Sequence, residues 1–197
     1  MKQLELYSDI SNQDFDKLYP EYIRSLSNIH WTPIEIIEVA IEWLGAYSGA
    51  NILDIGSGAG KFCIVGGILS NSKFTGIEKR GNLVSEANKL LKNFELNNVR
   101  FINANILNSD FRKYDAFYYF NPFCEQIASC QWIDQNISFS KTKYRLYENY
   151  VYSQLLKMPL GTRLVTYCSH DFSPPSSYKI KEMMFNGLLV LWIKKTF

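Results

Sequence analysis

The sequence predicts a three-layer α/β/α fold: helices on both faces of a seven-stranded, mostly parallel sheet, a C-terminal antiparallel hairpin, and added N-terminal helices. Three observations carry this. Asn51-Ile52-Leu53-Asp54-Ile55 runs into glycines at alternate positions, Gly56, Gly58 and Gly60, and then into an apolar helical pattern. From there strand and helix patterns alternate as far as Cys168. Near the C-terminus Asn186-Gly187 divides two strand-like runs, a strong short-range hairpin signal.

The elements follow in order. Phe15, Leu18, Tyr19, Tyr22, Ile23 and Leu26 recur at the spacing of an amphipathic helix. A second helix starts at Thr32-Pro33, with Thr32 as N-cap, Pro33 in the first turn and Glu35 at the third position. Ile36, Ile37, Ala40, Ile41 and Leu44 form its buried face, and Gly45 stops it. Residues 1–48 are therefore set apart as a helical lid or cap, with His30-Trp31-Thr32 at the rim; the alternative is a helical pair that only covers a sheet face. Residues 49–197 carry the sheet.

Ile52 to Ile55 is a short buried strand, and Lys61 to Leu69 the helix after the glycine loop. Lys73 to Ile77 is the second strand, ending at Glu78. Leu83, Val84, Ala87, Leu90, Leu91 and Phe94 mark a helix stopped near Asn97-Asn98. Val99 to Ala104 is the third strand. Tyr114 to Phe120 is the fourth, ended by Asn121-Pro122 because proline cannot donate to a central ladder. Tyr147 to Met158 is a helix and Thr162 to Cys168 the fifth strand, before hairpin strands Tyr178 to Phe185 and Leu188 to Lys195.

Composition excludes several classes. With 197 residues and 47% hydrophobic content, one substantial core can form. Lys plus Arg number 21 against 19 Asp plus Glu, which gives no electrostatic argument for nucleic acid or membrane. Cys63, Cys124, Cys130 and Cys168 show no C-x-x-C spacing, and two histidines complete no metal site. Reduced thiols in a cytoplasmic protein are expected. The N-terminus has no signal-peptide apolar region, and the longest apolar run, Leu188 to Ile193, is too short for a bilayer.

The glycine spacing discriminates among ligands. A dinucleotide fingerprint needs a glycine where Lys61 stands. A phosphate loop ending at Gly60-Lys61 would need its first glycine at Ile55 and Ser or Thr at Phe62. What remains is Asp-x-Gly-x-Gly-x-Gly from Asp54 to Gly60, against a turn that serves packing alone. A carboxylate one strand later, Glu78, can accept from both hydroxyls of a ribose.

This combination resembles the class I S-adenosylmethionine-dependent methyltransferases, whose fold is Rossmann-like. The resemblance implies S-adenosylmethionine as cofactor and S-adenosylhomocysteine as product. It implies that Asp54, Gly56, Ser57, Gly58 and Gly60 pack on the methionine part, with Glu78 and Lys79 at the ribose and Thr32 at the rim. Asn105 stands where the family usually has an aspartate that accepts from the adenine amino group; asparagine keeps an acceptor oxygen and loses the charge. Asn121-Pro122-Phe123 resembles the [DN]-P-P-[YFW] motif of amine- and amide-directed methyltransferases, with Phe123 replacing the second proline. That implies Asn121, Pro122 and Phe123 at the acceptor. Short fragments also resemble the non-SET histone-lysine methyltransferases, and the whole chain is most similar to bacterial single-domain members without a defined acceptor.

The implied reaction is in-line displacement, with the nucleophile held about 3 Å from the methyl carbon and water excluded. No Ser-His-Asp set is needed; His170 beside Asp171 is either a proton acceptor or a surface histidine. The expected function is methyl transfer to N or O of an acceptor, a small molecule or protein rather than nucleic acid, with no membrane and no metal. The alternative is a non-catalytic scaffold that binds the cofactor or its product, suggested by the departures at Asn105 and Phe123; Lys61 disfavours an oxidoreductase. Cys124 to Arg145 is expected to shape acceptor choice.

Overall fold

The structure is a computed structural model that describes residues 10–45, 49–127, 133 and 140–196. Helix α1 (Asn12–Asp16) starts where the Ser11 hydroxyl accepts from the Asp14 N–H. Next come α2 (Glu21–Arg24), α3 (Ser27–His30) and α4 (Ile34–Leu44). The single helix expected across 15–26 is broken at Pro20, which has extended ψ and no N–H to continue it. The i, i+4 rhythm survives the break: Phe15, Tyr19 and Ile23 are buried, whereas Leu18 and Tyr22 are exposed. Thr32 is not the N-cap expected of it. The chain stays extended through Pro33, so α4 begins one residue later, and its Ile34 N–H donates to Asn12 Oδ1 at 2.8 Å. Gly45 closes the helix, as expected.

The sheet comprises β1 (Asn51–Ile55), β2 (Lys73–Glu78), β3 (Val99–Asn103), β4 (Ala116–Tyr119), β5 (Arg163–Tyr167), β6 (Tyr178–Met184) and β7 (Leu189–Lys194). Its order is β3-β2-β1-β4-β5-β7-β6. The first five strands are parallel, and β7 inserts antiparallel between β5 and β6. Strand order therefore reverses between β1 and β4, which opens a crevice at their carboxyl ends. Helices α5 (Lys61–Leu69), α6 (Gly81–Leu91) and α7 (Lys141–Leu156) complete the layers.

Boundaries differ where a local contact overrides the apolar pattern. Helix α7 begins six residues before Tyr147, because Ser140 Oγ caps the Lys143 N–H. Helix α6 ends at Leu91, yet Phe94 beyond it is still buried. In the hairpin Met184 pairs with Leu189, so Asn186 and Gly187 are the middle of a four-residue loop, with Phe185 and both of them at positive φ.

Alternation along β1 feeds two cores. Leu53 and Ile55 join Phe117, Leu164 and the α7 residue Val151 on one face. On the other, Ile52 shares a cluster with Phe15, Ile37, Leu44, Phe74 and Tyr118. The N-terminal helices thus bury their apolar side in the same core as the sheet.

Candidate functional site

All three loop glycines sit in the left-handed region, with φ of 77° at Gly56, 53° at Gly58 and 88° at Gly60. Two are required by packing. A Cβ on Gly56 would lie 2.5 Å from the Pro122 Cβ, and one on Gly60 would lie 2.4 Å from the Phe101 ring. Gly58 differs, because a Cβ there would meet no described residue beyond its chain neighbours within 4 Å. Its backbone faces open space.

The loop is strapped to β2. Gly56 and Ser57 both donate N–H to Ile77 O, and Gly58 donates to Glu78 Oε2 at 3.2 Å. Glu78 Oε1 receives the Arg80 N–H at 2.8 Å. The buried Glu78 carboxylate therefore stands beside the bare backbone of Gly58.

A cavity of about 700 Å³ opens here, within the range of small-molecule sites. Its walls come from the carboxyl ends of the parallel strands: the glycine loop after β1, Glu78 to Arg80 after β2, Ala104 to Ile106 after β3, Phe120 to Gln126 after β4, and Tyr167 and Cys168 at β5. Tyr147 of α7 and His30, Trp31, Pro33 and Glu35 close it. Of the residues named from sequence, Gly56, Gly58, Glu78, Lys79, Asn105, Asn121, Pro122 and Phe123 line this cavity.

Four others do not line it. The Thr32 hydroxyl is buried against Tyr118 OH at 2.8 Å, so Trp31 and Pro33 form the rim. Ser57 Oγ is buried against Gly76 and has no hydrogen-bond partner among the described residues. Gly60 is the residue preceding α5, under Phe101. Asp54 is buried behind the loop, where it accepts from the Cys63 thiol at 3.5 Å. His170 is exposed outside the cavity.

Burial is the main force on Asp54. It pushes the carboxyl up to about 7, with the Cys63 thiol opposing and the Glu78 charge adding. An acid whose folded value is raised keeps its proton longer than the unfolded chain does. Stability is then lost as pH rises from the ordinary aspartate value near 3.8 through about 7. Asp54→Asn is expected to remove this slope. Melting curves between pH 4 and pH 8 should show the variant gaining on wild type across that window; parallel curves would place the proton elsewhere.

Lys61, whose place in the sequence spoils two other ligand motifs, is the first residue of α5. It is 4% exposed, and its ammonium donates to Asp16 Oδ1 at 2.8 Å and Asn12 Oδ1 at 2.9 Å, over the rings of Phe15 and Trp31. Tyr19 OH donates to Ala59 O at 2.8 Å. The start of α5 is thus pinned to α1, and the glycine loop to Tyr19 just beyond it. Lys61→Met should cost about 1–3 kcal/mol by leaving the Asp16 carboxylate, 13% exposed at the cavity, without its partner. Urea unfolding reads this directly, and an unchanged midpoint would mean the pair adds nothing.

A second ion pair crosses the site. Arg80 bonds Glu125, whose carboxyl is pushed up by burial while the guanidinium opposes, and also lies 3.9 Å from Glu78 Oε1. It joins the end of β2 to the short 3₁₀ turn Cys124–Gln126. In that turn Gln126 Oε1 is buried without a partner among the described residues. Cys130 and half of the stretch 124–145 lie outside the described residues.

Asn121 has φ 39°, a conformation asparagine tolerates, and its N–H donates to Ser169 Oγ at 2.9 Å. Phe123 stacks on Tyr147 with centroids 5.0 Å apart. Asn105 Oδ1 caps the Leu107 N–H at 3.1 Å, and its Nδ2 donates to Tyr147 OH at 3.3 Å. One of the two lone pairs of its acceptor oxygen is thus in use. Among the described residues no helix is long and apolar enough to cross a membrane, and no group of three His, Cys, Asp or Glu could hold a metal.

A search of curated proteins finds no match. Among solved structures the chain is similar to an RNA methyltransferase from Salinibacter ruber in complex with S-adenosyl-L-homocysteine: 16% identity, TM-score 0.59, covering 83% of this chain and 93% of that one. It is similar to precorrin-6y C5,15-methyltransferase from Geobacter metallireducens at 14% identity and TM-score 0.58, covering 82% and 88%. It is also similar to TrmN from Thermus thermophilus at 14% identity and TM-score 0.59, covering 84% of this chain and 49% of that one. At such identity these likenesses speak for the fold. A family model described as a methyltransferase domain matches residues 46–168, from just before β1 to the end of β5. Such a domain implies S-adenosylmethionine as cofactor, and the open backbone of Gly58 beside Glu78 suits its amino-acid and ribose parts. The chain belongs to the methyltransferase-domain family.

Proposed function

We propose that this chain transfers a methyl group from S-adenosylmethionine to a nitrogen or oxygen atom of an acceptor. The observation that carries this is Asn121. Asn121 lines the cavity, its side chain has no hydrogen-bond partner among the described residues, and it sits where Pro122 packs against Gly56. An amide oxygen left free at that point can take an acceptor N–H or O–H and aim the lone pair. Glu78 takes the ribose hydroxyls, and the side-chain-free loop at Gly56 and Gly58 leaves room for the amino-acid end. The cofactor, when bound, supplies a methyl carbon activated by positive sulfur. Trp31, Phe120 and Tyr167 surround the acceptor end with apolar surface that excludes water.

Residues 1–48 act as a cap on this site, through the rim residues His30, Trp31 and Pro33. A small molecule or protein is the favoured acceptor, since a net charge of +2 offers little general attraction for phosphates. The thiols of Cys63 and Cys168, neither in a disulfide among the described residues, suit a cytoplasmic location.

Incubation with radiolabelled S-adenosylmethionine and a fractionated cell extract tests the reading. Label transferred to one fraction supports it and isolates the acceptor. Tight cofactor binding with no transfer to any fraction would favour the non-catalytic scaffold.

A further inference from the structure

We infer that Tyr147 reads the base of the cofactor, donating its phenolic proton to a ring nitrogen of adenine. This rests on the cofactor assignment proposed above. A phenolic oxygen has one proton to give and two lone pairs with which to accept. Both acceptor positions are occupied: Lys79 Nζ donates at 3.2 Å and Asn105 Nδ2 at 3.3 Å. Neither contact can run the other way. An ammonium has no acceptor, and the Asn105 amide is held in its orientation because its oxygen takes the Leu107 N–H. The Tyr147 proton therefore has no acceptor among the described residues, although the side chain is only 7% exposed and lines the cavity.

A buried donor of this kind calls for an acceptor atom on a ligand. Sheet order says which part of the ligand that is. The glycine loop follows β1, Glu78 ends β2, and Asn105 follows β3, which is the outermost of the three strands. With the amino-acid end on the loop and the ribose at Glu78, the base comes next along this line. Tyr147 is bonded there to Lys79 after β2 and to Asn105 after β3. The Phe123 ring stacked on it fixes the side chain. Adenine offers N1, N3 and N7 as acceptors, and its amino group does not compete for the proton. The role assigned to Asn105 from sequence thus passes in part to its neighbour: Asn105 orients the phenol, and the phenol meets the base.

The test is a binding cycle by titration calorimetry with S-adenosylhomocysteine and its 1-deaza, 3-deaza and 7-deaza analogues. Wild type should bind the parent and lose about tenfold with one of the three analogues. Tyr147→Phe keeps the ring stacked on Phe123, and should bind the parent about tenfold more weakly, with no further loss on that same analogue. Equal affinity of wild type and Tyr147→Phe for the parent would overturn the inference and leave the cofactor reading standing. Failure of wild type to bind the parent at all would remove both. If Tyr147→Phe does not fold, wild-type affinities that are equal across all three analogues overturn it by themselves.

Discussion

Gly58→Val is expected to abolish binding of S-adenosylhomocysteine while leaving a folded protein. The two halves of that result have separate causes. Beyond its two chain neighbours no described residue has an atom within 4 Å of the Cβ position, so the new side chain enters the cavity beside Glu78. The left-handed backbone, with φ 53°, adds a strain of about 1–2 kcal/mol for a residue with a Cβ, tolerable in a domain of this size. Gly60→Ala is the informative contrast. Its Cβ would lie 2.4 Å from the Phe101 ring and 3.0 Å from the Ala87 Cβ, so stability should fall by about 1–3 kcal/mol through overpacking. Calorimetric titration beside denaturant unfolding separates the pair. A Gly58→Val protein that binds like wild type would show that the ligand does not lie on this loop.

Asn121→Ala should lower turnover by about 10²-fold or more, with little change in affinity for the cofactor. The side chain holds no other described part of the fold, so its loss should register in the transition state rather than in the melt. Alanine at φ 39° carries some backbone strain of its own, which Asn121→Gly avoids while removing the same amide. If the amide aims the acceptor, both variants lose turnover together in single-turnover methylation. Full activity in Asn121→Gly would take Asn121 out of the chemistry and leave it a turn residue against Ser169.

Much of this was legible in the linear chain because the signals are local. The strand at 51–55, the alternate glycines and the carboxylate at 78 are set by hydrophobic alternation and by the backbone freedom of glycine, which neighbours in sequence decide. The hairpin was legible for the same reason, although its loop proved two residues longer than Asn186-Gly187. Where local and distant demands compete, the pattern misleads. Phe15 to Leu26 reads as one helix until Pro20 breaks it, and Thr32 reads as a cap until its hydroxyl is spent on Tyr118, 86 positions away.

By itself, then, the sequence determined the layered α/β fold, the glycine loop and the candidate acceptor turn, since each is written in spacing and side-chain type. Tertiary structure alone decided which polar groups of those motifs face the cavity. Asp54 belongs to the motif and is buried behind it; Lys61 breaks two motifs and ties the loop to Asp16, 45 residues earlier; Tyr147 lies in no motif and stands at the cavity wall. The reason is physical. A buried charge or hydroxyl must find a partner, and that partner is supplied by whichever distant segment the packed core brings within about 3 Å.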